Sequence, residues 1–279
     1  MIEFGTSGVA DGMRDLKSYH EIANALSNQG LTCFEYPLTY GTNISDEKCE
    51  EIGKAFKEVG IKLSVHAPYY INFASPEEES VRKTFSYLYN SMRKAKRMGA
   101  DRVVFHPGSL TKQDRGVAVS NVLKNLKSFV EEIKDDEEVS GVLICPETMG
   151  KHGQIGTPEE VAEMCKISSI MIPTIDFGHI NAFTNGNLKD IQSFEDVIKL
   201  FVEDLMIDEI HIHFSKIEYG AKGEIKHLTF ETDPGFGPSE KFMVEALQKY
   251  DANYRIISES AGNQDIDAKI MLDYYKKGF

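Results

Sequence analysis

The segment Arg102-Val103-Val104-Phe105-His106-Pro107-Gly108-Ser109 shows the pattern on which the chain is built. A short apolar run ends in a histidine, and Pro and Gly, which interrupt regular structure, follow at once. The run at residues 62–66 also ends in a histidine, His66, and the run at residues 142–147 ends in Glu147. Each run has the length and composition of a buried strand that ends in a residue able to bind a metal ion.

Strand-like runs alternate with helical patterns from one end of the chain to the other. We predict eight strands, at residues 2–5, 32–36, 62–66, 102–106, 142–147, 171–176, 209–214 and 255–259. Helical periodicity falls between them, at residues 78–98, 116–133, 158–166, 193–205, 239–250 and 265–276. This alternation is typical of βα units on a parallel sheet, and 279 residues suffice for a closed barrel of about 250. With no linker or composition break, we predict an α/β fold, a single (β/α)8 TIM barrel in which residues 1–279 form one domain.

Composition and charge argue against several classes of protein. No apolar run approaches the roughly 18 residues that a membrane helix needs, and the first residues carry no basic leader, so we expect a cytoplasmic protein without a membrane partner. The four cysteines have no CxxC spacing, which favours buried free thiols. The net charge of −13 counts against non-specific coating of nucleic acid, although bound divalent metals can make a pocket locally positive.

Potential metal ligands stand at the ends of six of the eight predicted strands. A single histidine after a strand is more often structural, but the carboxyl ends of parallel strands meet on one face of a barrel, where distant residues become neighbours. Imidazole and carboxylate together suit Zn²⁺, Mn²⁺ or Fe²⁺, and the set is large enough for two or three ions. The candidates are His66, His106, Glu147, Asp176, His211 or His213, and Glu259.

Five motifs contain these residues or follow them, in order along residues 60–260. They are His66-Ala67-Pro68-Tyr69-Tyr70-Ile71-Asn72, Phe105-His106-Pro107-Gly108-Ser109, Pro146-Glu147-Thr148-Met149-Gly150, Asp176-Phe177-Gly178-His179 and Ile257-Ser258-Glu259. Each motif alone is weak evidence, but their order and their places at strand ends make the set specific. Together they resemble the endonuclease IV family of apurinic/apyrimidinic endonucleases, within the xylose isomerase-like TIM-barrel superfamily.

The resemblance implies a centre of up to three zinc ions, with manganese or iron as alternatives. His66, His106 and Glu147 would hold the first ion. Glu147 would bridge to a second ion, which Asp176, a histidine of the seventh strand and Glu259 would also hold.

The seventh strand offers two histidines on the same side, because side chains of a strand alternate with period two. The family has His-x-Asn-Asp here, and the best alignment makes His211 the ligand and leaves His213 as the alternative. Phe214 departs from the family, which has Asp at that position.

The third ion depends on His179 and on the longest irregular stretch, residues 215–238. In that stretch Glu224 falls where the family has an Asp ligand, and Lys226 falls where it has a histidine. Because His227 is the next residue, we predict Glu224 and His227 as the ligands, on the argument that a longer carboxylate and a small backbone shift compensate.

The activity that the resemblance implies is hydrolysis of DNA on the 5′ side of an abasic site, in base excision repair. Two metals bridged by a carboxylate activate a water for attack on phosphorus, so we expect Glu147 and Glu259 to be catalytic. Tyr69 and Lys216 would contact the DNA, although for Tyr69 packing over the barrel mouth is an equal alternative.

Two other functions fit parts of the pattern. A sugar isomerase or epimerase of the same superfamily would need one metal, held by equivalents of Glu147, Asp176, His211 and Glu259. Four further histidines count against that interpretation, because one ion leaves them without a role: His66, His106, His179 and His227. A metal-holding barrel without catalytic activity is the remaining alternative.

Overall fold

Eight parallel strands form a nearly closed barrel in the computed structural model, which describes residues 1–39, 41–231 and 235–278. They are β1 (Ile2–Ser7), β2 (Cys33–Pro37), β3 (Lys62–His66), β4 (Arg102–Phe105), β5 (Leu143–Pro146), β6 (Thr174–Asp176), β7 (Glu209–Phe214) and β8 (Asn253–Ser258). The hydrogen-bonded order runs β5-β4-β3-β2-β1-β8-β7-β6, and isolated bridges Ile144–Met171 and Glu147–Thr174 connect β5 to β6. The predicted (β/α)8 TIM barrel is therefore confirmed.

Helices surround the barrel and connect its strands. They are α1 (Tyr19–Asn28), α2 (Asp46–Glu58), α3 (Glu78–Met98), α4 (Arg115–Ile133), α5 (Pro158–Cys165), α6 (Phe177–Phe183), α7 (Ile191–Lys199), α8 (Glu240–Leu247) and α9 (Gln264–Lys277), with a π-helical turn Leu200–Asp204 after α7. The start of α5 is fixed by a capping box, in which the Thr157 hydroxyl accepts from the Glu160 amide and the Glu160 carboxylate accepts from the Thr157 amide. None of the described helices is long and apolar enough to cross a membrane.

The structure differs from the predicted elements in two respects that affect the site. Strands β4, β5 and β8 each end one residue before His106, Glu147 and Glu259, so these side chains follow the strands instead of closing them. Residues 215–238, expected to be irregular, contain an antiparallel hairpin of Lys216–Gly220 and Gly223–Leu228, called the β7 hairpin below. Residues 232–234 of that stretch lie outside the described residues.

The inside of the barrel is polar, whereas its outer surface packs against the helices. On β7 the residues Ile210, Ile212 and Phe214 belong to the main hydrophobic core. The alternate residues His211 and His213 contact Glu35 and are buried within the barrel. Period-two alternation thus directs one set of side chains to the helices and the other to the interior.

An ionic network occupies the end of the barrel where the strands begin. Arg102 and Arg255 are each only 2% exposed, and both form ion pairs with Asp101. Arg255 also pairs with Glu3, and Arg102 pairs with Glu209. Burial alone would raise the pKa of Asp101, but hydrogen bonds from Arg255 and Arg102 outweigh it and hold that pKa below its ordinary value.

Asp101→Asn should lower the free energy of unfolding by about 2–3 kcal/mol. The loss is smaller than for a fully enclosed ion pair because the Asp101 side chain is 46% exposed and water screens part of the interaction. Urea denaturation checks the effect, with Asp135→Asn, an exposed neighbour of α4, as the control that stays within about 0.5 kcal/mol of wild type. Equal stability of the two variants would show that the network does not support the fold.

Candidate metal centre

The first group of potential ligands stands where β3, β4 and β5 end. His66 is the last residue of β3, His106 follows β4, and Glu147 follows β5. The Nε2 atoms of the two histidines lie 3.3 Å and 3.2 Å from Oε2 of Glu147. The three predicted residues are thus brought together, with one carboxylate oxygen facing both imidazoles.

The second group shares Glu147 and adds residues from the next strands. Asp176 and His213 are register partners on β6 and β7, and Glu259 follows β8. Nδ1 of His213 lies 3.1 Å from Oε1 of Glu147 and 3.5 Å from Oε2 of Glu259. Candidate ligand atoms of these four residues lie within 4.8 Å of one another.

The structure places His213, and not His211, beside Asp176 and Glu259. His211 pairs in register with Thr174, two residues earlier on β6, and its Nε2 contacts Glu35 instead. Because β7 continues through Phe214, position 211 lies two residues, or about 6.6 Å, below position 213 along the strand. The register of β7 against β6 therefore brings His213, the alternative from the alignment, into the second group, whereas His211 lies in a further group with Glu35 and His213.

The third group combines α6 with the β7 hairpin. Asp176 caps α6 by accepting a hydrogen bond from the His179 amide at 2.8 Å, which fixes the first helical turn directly after β6. Nε2 of His179 then lies 3.5 Å from Oε2 of Glu224, and Nε2 of His227 lies 4.0 Å from Oε1 of Glu224. The predicted set His179, Glu224 and His227 is brought together.

A β-bulge lets Glu224 and His227 point to the same side. Two residues three apart on a regular strand face opposite sides, but the pairing of the β7 hairpin shifts so that Tyr219 is opposite Glu224 and Glu218 is opposite Lys226. Ile225 is the extra residue, and a bulge of this kind reverses the alternation. Lys226 consequently points away and pairs with Glu218 at 3.2 Å.

Close backbone contact docks the β7 hairpin on the segment after β5. The Glu224 amide donates to the Gly150 carbonyl at 3.0 Å, and a Cβ on Gly223 would lie only 2.1 Å from the same oxygen. Gly223 also has a φ of +89°, in the left-handed region that favours glycine. This docking holds Glu224 over His179.

The imidazoles of three of these histidines are oriented by hydrogen bonds on their second nitrogen. Nδ1 of His66 lies 2.8 Å from the Ala67 carbonyl, and Nδ1 of His179 lies 2.9 Å from the Thr148 carbonyl. A carbonyl oxygen can only accept, so in the neutral ring Nδ1 carries the proton and Nε2 presents a lone pair to the site. Nδ1 of His227 contacts the Ser215 hydroxyl at 2.9 Å, which likewise leaves Nε2 facing Glu224.

The carboxylates and histidines perturb one another strongly. Burial alone would raise the pKa of Glu147, but nearby His213 and His106 hold it well below its usual value. Burial alone would lower the pKa of His66, but the hydrogen bond and charge of Glu147 raise it to about 9. Burial likewise raises the pKa of Asp176, and the charges of Glu147 and Glu259 add to the increase. Buried carboxylates in this arrangement repel one another, and a cation among them would relieve the repulsion.

The arrangement fits a metal centre. Oδ2 of Asp176 is buried without a hydrogen-bond partner among the described residues, which is costly in a protein unless another group binds it. The donors are imidazole nitrogens and carboxylate oxygens, which zinc, manganese and iron accept, and the four buried cysteines are free thiols outside the three groups.

A cavity of about 320 Å³ opens above the three groups. Tyr69 lines it with a side chain that is 62% exposed and a ring 5.4 Å from that of His106. Lys216 does not line it, since its ammonium lies over the ring of Phe230, at 5.7 Å from the centroid. Lys151 lines the cavity, with its ammonium 3.7 Å from Glu224, and contact of Lys216 with DNA stays a prediction.

Glu35 is a buried residue beside the site that the sequence did not lead us to predict. It lies in the middle of β2 and is fully buried, with contacts to both histidines of β7. The sequence feature that could have indicated it is a single acidic residue inside a short apolar strand, where burying an unpaired carboxylate costs free energy.

Comparisons with known proteins place the chain in a family. A family described as "Xylose isomerase-like TIM barrel" matches residues 23–275. An uncharacterized protein of Methanocaldococcus jannaschii is 30% identical over 284 residues, which cover 99% of this chain and 98% of that protein. A probable endonuclease 4 of Acholeplasma laidlawii is 30% identical over 219 residues, covering 73% of this chain and 72% of that protein. The solved structure of a D-tagatose 3-epimerase-like protein has a TM-score of 0.72 at 23% identity, over 99% of this chain and 97% of that one.

The chain belongs to the xylose isomerase-like TIM-barrel family. Its resemblance to endonuclease IV, first seen in the five motifs, is confirmed by the probable endonuclease 4 relative. The likeness to the epimerase-like structure shows the shared fold alone.

Gly223→Ala should remove one bound zinc per chain from protein reconstituted with zinc. The new methyl group cannot fit against the Gly150 carbonyl, so the β7 hairpin must move and carry Glu224 away from His179. Elemental analysis measures the zinc content. Gly153→Ala is the matched control, because a Cβ there meets no atom within 4 Å. Full zinc content in Gly223→Ala would mean that the hairpin does not form the third site.

Proposed function

We propose that this chain is a metal-dependent phosphodiesterase that hydrolyses DNA on the 5′ side of abasic sites, as a zinc enzyme of the endonuclease IV type. The residues that would hold zinc are those of the three groups, with His213 in the place first given to His211. Bound divalent metals would activate a water for attack on phosphorus and neutralise charge on the phosphate oxygens.

The observation that carries the proposal is the position of Glu147 between two groups. Its Oε2 faces Nε2 of His66 at 3.3 Å and Nε2 of His106 at 3.2 Å, whereas its Oε1 faces Nδ1 of His213 at 3.1 Å. A carboxylate with different imidazoles on its two oxygens suits a site in which adjacent ions share one ligand. A single ion in the second group would have no contact with the histidines of the other two groups, which are His66, His106, His179 and His227.

The residues around the cavity provide the other parts of the reaction. Glu259 is the least buried of the second group's carboxylates, at 16% exposure against 0–1% for Asp176 and Glu147. Burial alone would raise its pKa, but the charge of His213 holds that pKa below the usual value, so Glu259 is an anion that can bind a cation. Lys151 at the mouth is placed to meet a phosphate, and Tyr69 offers an exposed ring against which a sugar or base can pack.

A sugar isomerase or epimerase is the second candidate. The four residues Glu147, Asp176, His213 and Glu259 form by themselves the kind of single-metal site that such enzymes use. A cavity of about 320 Å³ is also at the small end of the range for ligand pockets, which suits a monosaccharide. The first and third groups favour the hydrolase, because a reaction that uses one metal ion does not need their ligands.

Zinc-loaded protein should cut a duplex that contains one tetrahydrofuran abasic analogue. We expect a single incision on the 5′ side of the analogue, with a 3′-hydroxyl that a DNA polymerase can extend, and no incision of the unmodified duplex. A labelled strand on a denaturing gel reads out both results. An intact abasic duplex with zinc and with manganese, together with epimerisation of a ketose by the same preparation, would replace the hydrolase with the second candidate.

Glu147→Gln should reduce the incision rate by more than the roughly 10–100-fold that follows loss of groups supporting metal ligands. The amide keeps the size of the side chain, but it has no negative charge to share between two cations. Single-turnover incision at matched protein concentration measures the loss, and circular dichroism confirms folding. Glu137→Gln, on the exposed segment before β5, is the control and should incise at the wild-type rate. A fast Glu147→Gln variant would contradict the shared-ligand mechanism.

A further inference from the structure

A fully buried polar cluster lies inside the barrel directly below the second ligand group. It consists of Glu35 on β2, Ser64 on β3, and His211 and His213 on β7. The Ser64 hydroxyl donates to Oε2 of Glu35 at 2.8 Å. Nε2 of His211 lies 3.0 Å from the same oxygen, and Nε2 of His213 lies 2.9 Å from Oε1.

Glu35 and His213 have no alternative polar partners for the atoms that face each other. Oε1 of Glu35 and Nε2 of His213 are both buried without a hydrogen bond among the described residues, and they lie 2.9 Å from each other. Unsatisfied polar atoms at this depth cost free energy, and an N–H on Nε2 directed at Oε1 would satisfy both atoms.

The contact determines which nitrogen of His213 is available above. Nδ1 of His213 faces Oε1 of Glu147 at 3.1 Å and Oε2 of Glu259 at 3.5 Å, on the side of the second group. A neutral imidazole carries one proton, so when Nδ1 binds an ion the proton must be on Nε2, where Oε1 of Glu35 is the acceptor 2.9 Å away.

We propose that Glu35 is a positioning residue for the metal centre: it holds His213 in the Nε2-protonated tautomer and aims Nδ1 at the ion of the second group. The inference rests on the metal site of the proposed function and adds a residue outside the three ligand groups. Carboxylates that accept a hydrogen bond from a ligating histidine fix its orientation and raise its basicity, and their loss typically costs about 10–100-fold in metal affinity.

His213 is distinguished by this arrangement from three other candidate ligands. His66, His179 and His227 have Nδ1 on a backbone carbonyl or a serine hydroxyl and direct Nε2 to the site. His213 has the opposite orientation, with Nε2 on Glu35 and Nδ1 to the site. An ion bound at Nδ1 of His213 would thus require the tautomer opposite to that of those three rings.

Candidate ligand atoms of Glu35, His211 and His213 also lie within 4.8 Å of one another, so an ion held by these three residues is a different interpretation of the same cluster. It would need both nitrogens of His213 to be deprotonated, because Nδ1 already faces the second group. It would also have to displace the Ser64 hydrogen bond or fit beside it in a space without exposed atoms. The positioning role requires neither change, so the geometry favours it.

The tautomer can be measured directly in the wild-type protein. In zinc-loaded protein labelled with ¹⁵N-histidine, long-range ¹H–¹⁵N correlation should show a protonated Nε2 and a zinc-bound Nδ1 for His213. His66 should show the reverse pattern, and a His213→Gln sample assigns the signals by their loss. A zinc-bound Nε2 on His213 would overturn the proposal without any variant having to fold.

The Glu35→Gln variant tests the effect on metal binding. Competition with a chromophoric chelator should show that one zinc site weakens by about 10–100-fold while the remaining sites keep their affinities. Glu3→Gln is the matched control, a carboxylate in the same barrel interior that pairs with Arg255 far from the ligands. It should lower the melting temperature and leave every zinc affinity unchanged.

The outcomes separate the two proposals. If the wild-type protein binds no zinc in these groups, the proposed function fails and the inference fails with it. If the wild type binds zinc and Glu35→Gln binds it equally well, only the positioning role is overturned. Loss of a whole equivalent of zinc in His211→Gln would also overturn it, in favour of an ion held within the cluster.

Discussion

The buried carboxylate of Glu147 is the group on which the rest of the site depends. It lies within 3.3 Å of imidazole nitrogens from His66, His106, His179 and His213, which come from four other parts of the barrel. Burying a carboxylate away from water costs free energy unless positive charge or hydrogen-bond donors lie beside it. The strands around Glu147 must therefore place such groups next to it. Formation of the site and closure of the barrel are consequently coupled, because β3, β4, β6 and β7 must all be in register for the compensation to exist.

The barrel interior is organised in levels that have different tasks. The level nearest the strand starts holds the arginine and carboxylate network around Asp101, which is far from the cavity and acts on stability. The middle level holds Glu35 and His211, and the upper level holds the candidate ligands. Glu35 in the middle level contacts His213 in the upper level and would hold its ring in a fixed position, as a metal centre requires.

The fold and most of the ligand positions could be predicted from the sequence because two periodicities and the strand ends determine them. The choice between His211 and His213 could not be predicted, because the alignment assumed the family's register. In the structure β7 continues through Phe214, which brings His213 level with Asp176. Glu35 gave only the weak signal of one acid in an apolar strand. The side on which Glu224 and His227 lie depends on a bulge at Ile225, and nothing in the local residue types specifies that irregularity.

In the proposed centre Glu147 joins two metal ions, and His213 binds one of them. Anomalous diffraction at the zinc edge, from crystals of zinc-reconstituted protein, would locate each ion and its ligands. We expect three peaks, of which two flank Glu147 and one of those two lies about 2.0–2.1 Å from Nδ1 of His213. A single peak, or a peak bound by His211 in place of His213, would contradict it.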